Sequence, residues 1–207
     1  MPPRKPPPKP YAWRRMCVRD REAILEFRKQ SGLRWHCPSH FSGPAGWYLL
    51  SASCYEHRPI MSSHERRQHV ERGLVEGIEH AGGEASAWAV LPNHYHVLAR
   101  MPSLKAFGDV VRRLHSASTV QWNREDRTPG RKVWYRYADR QIRNERHYYA
   151  AFNYVHGNPV KHGLVARADE WIATSLHQHL DALGREYLKE LWLRYPPLNM
   201  GAGWDET

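Results

Sequence analysis

The sequence contains no apolar run that approaches the roughly 20 residues of a membrane-spanning helix. Cysteine is scarce: Cys17, Cys37 and Cys54 are odd in number and irregularly spaced, which is typical of a reducing compartment. No Walker-type glycine loop is present, so we expect no nucleotide cofactor. The first ten residues are basic and proline-rich without an apolar stretch behind them, so we expect no signal peptide. Together these absences predict a cytoplasmic protein.

Positive charge and aromatic side chains are abundant. The 31 Lys and Arg exceed the 21 Asp and Glu by ten, and the chain also has 14 His, nine Trp and eleven Tyr. Such a charge balance favours a polyanionic partner. A membrane surface is the competing polyanion, but neither a lipidation motif nor a strongly basic amphipathic helix is found. Nucleic acid is therefore the expected partner, and no membrane association is expected.

Apolar periodicity predicts a mixed domain behind an N-terminal extension. We expect residues 1–12 to be a disordered basic arm, 13–46 an extension with a helix over Arg19–Gln30, 47–180 the main domain, and 181–207 a helical tail. Strands are predicted at Trp47–Ser53, Ala85–Leu91, His94–Met101 and Val133–Ile142, and helices at Ser63–His80 and Leu104–Trp122. A last helix is predicted to begin after Asn144, as its N-cap, and to run to about Gly157. This order predicts an α+β, ferredoxin-like split βαβ fold with an antiparallel sheet and an additional helix.

The segment Pro92-Asn93-His94-Tyr95-His96 carries the first chemical signal. Side chains alternate along a strand, so His94 and His96 share one face while Tyr95 points to the other. Two imidazoles on one face can bind one metal ion. Taken alone, the motif is a weak signal, because two unrelated polar residues on a solvent-facing strand give the same pattern.

The second signal lies in the last predicted helix. Tyr148, Ala151, Phe152 and Val155 follow helical spacing and are expected to form its buried stripe. Tyr154 falls off that stripe, and Asn158 lies about 40° from Tyr154 around the helix axis. Because Asn158 precedes Pro159, we expect it at the helix end rather than within the helix.

In combination these motifs resemble the single-tyrosine HUH transposases (the transposase IS200-like superfamily), and among them the REP-associated tyrosine transposases. The resembling residues are 91–98, which contain His94-Tyr95-His96, and 154–165, where Tyr154 is followed by Asn158-Pro159-Val160-Lys161. The resemblance extends from Trp47 to about His179. Tyr95 departs from it, because the residue between the histidines is usually aliphatic.

The resemblance implies a role for each motif residue. His94, His96 and Asn158 would bind Mg²⁺ or Mn²⁺, and Tyr154 would be the catalytic nucleophile. The implied activity is metal-dependent nicking and strand transfer of single-stranded DNA at REP-like hairpins, through a 5′-phosphotyrosyl intermediate. The implied location in a bacterium is the cytoplasm, in association with the nucleoid.

Contacts to DNA are expected from basic side chains on phosphates and from aromatic rings on unpaired bases. The candidates lie on the second long helix, in the loop and strand that follow it, and after Tyr154. They are Arg112, Arg113, Arg124, Arg127, Arg131, Lys132, Arg136, Arg140 and Lys161. The pair His177 and His179 repeats the H-x-H spacing, but it lies in a helical tail, where such residues do not share a face, and we interpret it as structural.

Alternative functions remain open at this point. The chain could be a catalytically silent hairpin-DNA-binding protein derived from a transposase, a relaxase or replication initiator of the wider HUH group, or a metal hydrolase of small substrates. Positive charge and the Tyr-x-x-x-Asn spacing argue against the last. The sequence is compatible with a monomer or a homodimer.

Overall fold

The computed structural model describes residues 17–30, 43–198 and 200. Helix α1 (Val18–Gln30) belongs to one compact unit, and the described residues from 43 onward belong to a second. The helix predicted at Arg19–Gln30 is thus found, beginning one residue earlier. The arm predicted at 1–12 lies outside the described residues.

The second unit contains the predicted strands and helices in the predicted order, followed by two short helices. Single turns of 3₁₀ helix follow the first strand and precede the last two helices. The elements are β1 (Gly46–Cys54), α2 (His64–His80), β2 (Glu84–Val90), β3 (His94–Met101), α3 (Leu104–Glu125), β4 (Trp134–Gln141), α4 (Glu145–Lys161), α5 (Leu176–Leu183) and α6 (Arg185–Arg194).

The strands form a four-stranded antiparallel sheet in the order β2-β3-β1-β4. This is the strand order of a split βαβ unit, so the predicted α+β, ferredoxin-like fold is confirmed. The β1–β3 register pairs Ser51 with His96 and Ser53 with His94. Paired residues of neighbouring strands point to the same face, which places both serines beside the histidines.

Alternation along the strands divides the core into two layers. On one face Leu50, Tyr95 and Val97 pack with apolar residues of α2 and α3, including Leu74 and Phe107. This layer buries the apolar stripes of both long helices, as their spacing predicts.

Helix α4 covers the other face of the sheet. There Leu49, Ala89 and Leu98 pack with Phe152 and Val155 of α4. The histidines of β3 lie on this face, because they alternate with Tyr95 and Val97. The sheet therefore separates α4 from α2 and α3.

Helix α4 begins as predicted and ends later than predicted. The side chain of Asn144 caps its first turn by accepting a hydrogen bond from His147 N at 2.9 Å. The expectation that Asn158 lies at the helix end is wrong: the helix continues through Pro159 to Lys161. Proline in the last turn removes only one backbone donor, and burial of Asn158 and Pro159 outweighs the local preference against helix.

The expectation of a single buried stripe on α4 is also wrong. Tyr154 is only 4% exposed, and Asn153 and His156 are buried as well. Tyr154 faces the histidines of the sheet, and α5 and α6 cover other sides of α4: the Asn153 side-chain amide donates to the carbonyls of Leu191 and Tyr195, both at 2.9 Å.

An isolated antiparallel bridge joins Thr174 to Ala89 at the free edge of β2.

In the described segments, no helix combines the length and the apolar character that crossing a membrane requires.

Candidate active site

The two histidines of β3 lie side by side beneath α4. The centroids of the His94 and His96 rings are 5.0 Å apart, and both side chains are buried. Tyr95 lies on the opposite face, fully buried in the α2–α3 layer. The strand alternation predicted for this motif is therefore found, and the bulk of Tyr95 is accommodated away from the histidines.

Each imidazole is held through its Nδ1 atom. His96 Nδ1 lies 2.5 Å from Ser51 Oγ, and His94 Nδ1 lies 2.7 Å from Asn93 Oδ1. Side chains that hold one ring nitrogen fix the direction in which the other nitrogen points. Here both Nε2 atoms point toward α4.

Helix α4 presents Tyr154 and Asn158 to these Nε2 atoms. Tyr154 Oη lies 3.4 Å from His96 Nε2, and Asn158 Oδ1 lies 3.3 Å from His94 Nε2. Because the helix continues past Asn158, that residue is one full turn beyond Tyr154 on the same face. Its amide Nδ2 donates to the Tyr154 carbonyl at 3.4 Å, which turns Oδ1 toward His94. The four residues predicted from the two motifs thus meet in space.

The chemistry of this donor set fits a divalent cation. A neutral His94 that donates from Nδ1 to Asn93 presents Nε2 as an acceptor, and Asn158 Oδ1 is also an acceptor. Two facing acceptors repel each other unless a proton or a cation lies between them. Adjacent ligands at about 2.1 Å around an octahedral ion are about 3 Å apart, close to the spacing of these two atoms.

Among the described residues, no group of three or more His, Cys, Asp or Glu side chains is arranged to hold a metal ion. The candidate centre therefore depends on two imidazoles and one amide oxygen, His94, His96 and Asn158. Such mixed nitrogen and oxygen ligation suits Mn²⁺ and Mg²⁺, with the imidazoles favouring Mn²⁺ in affinity.

A buried aromatic group supports β3 from the far face of the sheet. Tyr95 Oη lies 2.9 Å from His115 Nε2, and the His115 ring stacks on Trp134 with centroids 4.1 Å apart. Burial lowers the pKa of His115 to about 3 and raises that of Tyr95 well above its usual range. At neutral pH both are uncharged, so the hydrogen bond joins a neutral phenol to a neutral imidazole.

Comparison with known proteins gives one relative in sequence and one in structure. The REP-associated tyrosine transposase of Escherichia coli (strain K12) is 29% identical over 97 residues, which are 46% of this chain and 55% of the relative. The match thus spans about half the length of that protein. A solved structure of a REP-associated tyrosine transposase bound to a REP hairpin superposes with a TM-score of 0.58, at 21% identity, covering 72% of this chain and 87% of that one. This chain has the fold of a REP-associated tyrosine transposase.

These similarities confirm the resemblance that the two motifs predicted. No protein-family profile matches the chain. At this level of identity the structural similarity to the transposase establishes the fold, and the roles of His94, His96, Tyr154 and Asn158 rest on the geometry given above.

The basic residues predicted to contact DNA are divided between the two faces of the transposase-like sheet. Arg112, Arg113 and Arg124 are exposed on α3, across the sheet from the histidines. Arg140 is exposed on β4 and pairs with Leu49, which places it on the α4 face. Lys161 is the candidate that lies at the site itself: its Nζ is 5.4 Å from the centre of the Tyr154 ring.

The remaining candidates have different surroundings. Arg127 and Lys132 are exposed, and the Lys132 ammonium lies 4.6 Å from the Tyr55 ring centre. The side chain of Arg136 lies outside the described part of the structure. Arg131 is half-buried and hydrogen-bonds to Asn123 and Asp126, an arrangement that supports a structural role instead of contact with DNA.

A cleft of about 870 Å³ lies away from the histidines, between the start of α2 and the end of α3. Its charged lining is paired internally: Arg66 contacts Glu125 and Asp126, and Arg131 contacts Asp126. The cleft offers neither the histidine pair nor the tyrosine, so the chemistry is assigned to the α4 face.

Some residues of the site could not be found from the sequence. Ser51 was missed because only the β1–β3 register brings it to His96. His162, whose ring centre is 4.8 Å from that of His94, was missed because the helix was expected to end before Asn158, whereas it continues to Lys161 and brings His162 to the site. The structural interpretation of the tail histidines agrees with their contacts, since His177 and His179 each place Nε2 against a backbone carbonyl.

Proposed function

We propose that this chain nicks and rejoins single-stranded DNA at REP-like hairpins, with Tyr154 as the nucleophile and with Mg²⁺ or Mn²⁺ held by His94, His96 and Asn158. The observation that carries the proposal is the convergence of Tyr154 and Asn158 on the two Nε2 atoms, from a helix some 60 residues further along the chain. The similarity to a transposase solved with a REP hairpin supports the choice of substrate.

In the proposed reaction Tyr154 Oη attacks the phosphorus of one phosphodiester. The bond from phosphorus to the 3′ oxygen breaks as the bond to Oη forms, and the phenolic proton is balanced by the proton that the leaving oxygen takes up. The products are a 5′-phosphotyrosyl ester and a free 3′-OH. Attack by another 3′-OH reverses the step and joins new strands, so the transfer needs no nucleotide cofactor.

The protein contributes position and exclusion of water. Ser51 and Asn93 hold the imidazoles, and the turn of helix between Tyr154 and Asn158 fixes the hydroxyl relative to the ligand oxygen. When bound, the divalent ion would neutralise phosphate charge as a Lewis acid. The burial of Tyr154 keeps water from its hydroxyl until DNA binds.

The proposal is tested with synthetic imperfect hairpins whose flanking single-stranded nucleotides are randomised, incubated with Mn²⁺ or Mg²⁺. We expect a covalent adduct on a denaturing gel that carries a 3′ label, while a 5′ label is released on a fragment with a free 3′-OH. Tyr154→Phe should form no adduct. Tyr149→Phe is the matched control on the same helix, because its ring stacks on Tyr195 and lies apart from the histidines.

Two results would contradict the proposal. Undiminished adduct formation by Tyr154→Phe would exclude this residue as the nucleophile. Tight hairpin binding by the unaltered chain, with no metal-dependent cleavage, would favour the alternative of a catalytically silent hairpin-binding protein.

A further inference from the structure

One face of α4 carries a cation beside the candidate nucleophile. Tyr154, Asn158 and Lys161 follow the spacing i, i+4, i+7 and therefore share a face of the helix. Tyr154 lies opposite His96, and Asn158 lies opposite His94. The Lys161 side chain extends back along this face, so that its ammonium lies 5.4 Å from the centre of the Tyr154 ring.

The described contacts of Tyr154, His94 and His96 within this site are made by uncharged or titratable polar groups. They are imidazole, amide and hydroxyl groups, contributed by His94, His96, Asn158, Asn93 and Ser51. A phosphodiester brings a negative charge to this place, and the transfer of the phosphoryl group redistributes that charge over its oxygens. A lysine ammonium is a compact point charge with three donors, well suited to a phosphate oxygen.

Lys161 is exposed, whereas Tyr154 and Asn158 on the same face of α4 are buried. Tyr154 is 4% exposed, so a phosphate reaches its hydroxyl only when covering side chains move aside. Lys161 is exposed and has a long flexible stem, and its ammonium lies over the ring that must be reached. A phosphate that approaches Tyr154 therefore meets the Lys161 ammonium.

We infer that Lys161 is a further catalytic residue, which donates a hydrogen bond to a non-bridging oxygen of the phosphate that Tyr154 attacks. The inference rests on the proposed function and narrows it, because it assigns one phosphate of the substrate to one side chain. Arg112, Arg113 and Arg124 cannot share this role, since they lie across the sheet.

The first measurement is the single-turnover rate of adduct formation at saturating hairpin and metal. Lys161→Met should lower this rate by about 10- to 100-fold, because a charged donor to the reacting phosphate is lost. Lys161→Arg should recover most of the rate. Lys189→Met is the matched control, because it also replaces an exposed lysine by methionine. Lys189 lies on α6, where its Nζ is 3.8 Å from a carboxylate oxygen of Glu186. Its rate should equal that of the unaltered chain.

The second measurement is the affinity for the hairpin, and it identifies which phosphate Lys161 contacts. It is made in the Tyr154→Phe background, so that the DNA stays intact. The hairpin is made with an uncharged methylphosphonate either at the mapped cleavage position or at the next linkage. Lys161→Met should weaken binding several-fold for the all-phosphate hairpin and for the neighbouring substitution. It should have no effect when the cleavage position itself is uncharged.

The outcomes separate the two proposals. If the unaltered chain forms no Tyr154 adduct, the proposed function fails and this inference fails with it. If the adduct forms and Lys161→Met reacts at the same rate, only the role of Lys161 is overturned. A penalty for Lys161→Met that persists with the methylphosphonate at the cleavage position also overturns it, because the lysine would then contact another part of the DNA.

Discussion

Ser51 Oγ lies 2.5 Å from His96 Nδ1, between two strands that are paired at these very residues. The contact fixes the ring so that Nε2 points at Tyr154. Groups that orient a metal-binding histidine raise its effectiveness as a ligand, and their removal typically lowers metal affinity or activity by about 10- to 100-fold.

Ser51→Ala is accordingly expected to raise the Mn²⁺ concentration needed for half-maximal adduct formation by about tenfold or more. Ser53→Ala is the matched control, because Ser53 lies two residues along the same face and its hydroxyl has no hydrogen-bond partner among the described residues. A metal titration of both variants checks the prediction. Equal Mn²⁺ requirements for the two variants would show that Ser51 does not orient His96.

Gly157 of α4 lies against Trp192 of α6, so substitutions at these two positions test how tightly the two helices pack. A Cβ at this position would clash with the Trp192 ring, whose Cζ3 would lie at 3.1 Å. We expect Gly157→Ala to destabilise the protein by about 1–3 kcal/mol through overpacking. In a Trp192→Ala background the clash is gone and only the helix preference for alanine remains, so the same change should stabilise by up to about 1 kcal/mol.

Urea unfolding of the unaltered chain, the two single variants and the double variant measures both effects. The diagnostic feature is the change of sign between the two backgrounds. Destabilisation of equal size in both would mean that the Trp192 ring does not limit the space at Gly157.

His115 should make the protein sensitive to acid. Burial lowers its folded-state pKa from 6.5 to about 3, so between these values the unfolded chain binds a proton that the folded chain does not. Stability is therefore lost as the pH falls from about 6.5 toward 3, with a slope that approaches about 1.4 kcal/mol per pH unit for this group. His115→Gln removes the group and should flatten the slope.

The measurement is the free energy of unfolding of both proteins at several pH values between 7 and 4. His115→Gln is expected to be less stable at pH 7, because the stacking on Trp134 is lost, so the comparison concerns slope alone. If the substitution leaves the slope unchanged, His115 is not a cause of the acid sensitivity.

Asp126, at the end of α3, forms an ion pair with Arg66 at the start of α2. Hydrogen bonds from Arg66 and Arg131 lower its pKa from 3.8 to about 2. A depressed carboxyl pKa contributes stability that is present above the unfolded value and lost as the pH falls from about 3.8 to 2. Asp126→Asn should cost about 1 kcal/mol at pH 6, as for a favourable surface ion pair, and much less near pH 2.

Glu186→Gln is the control for this prediction, because it removes an exposed carboxylate from a single weak ion pair with Lys189. Its unfolding midpoint should be nearly unchanged at pH 6. A difference between Asp126→Asn and the unaltered chain that stays constant down to pH 2 would contradict the role of Asp126.

The parts of this molecule that could be predicted depend on contacts close in sequence. Strand alternation placed His94 and His96 together, and helical periodicity predicted the long helices to within a few residues. The capping role of Asn144 was likewise local, because a cap and its helix are adjacent in the chain.

The errors arose where distant packing overrode a local preference. The sequence of Gly157-Asn158-Pro159 argues for a helix end, yet the helix continues through these residues, with Asn158 and Pro159 buried. Tyr154 was placed off the buried stripe because helical phase describes one apolar stripe, whereas the sheet also covers the face of α4 on which Tyr154 meets His96.

The order of the elements, the fold class and the two motifs were predictable, because periodicity and residue spacing are local properties. The three-dimensional fold was needed to show that Ser51 holds His96, that α3 and its arginines lie across the sheet, and that Lys161 lies over Tyr154. Those relationships depend on strand register and on which face of the sheet each helix buries. Both are set by packing between segments far apart in the chain, which no local pattern encodes.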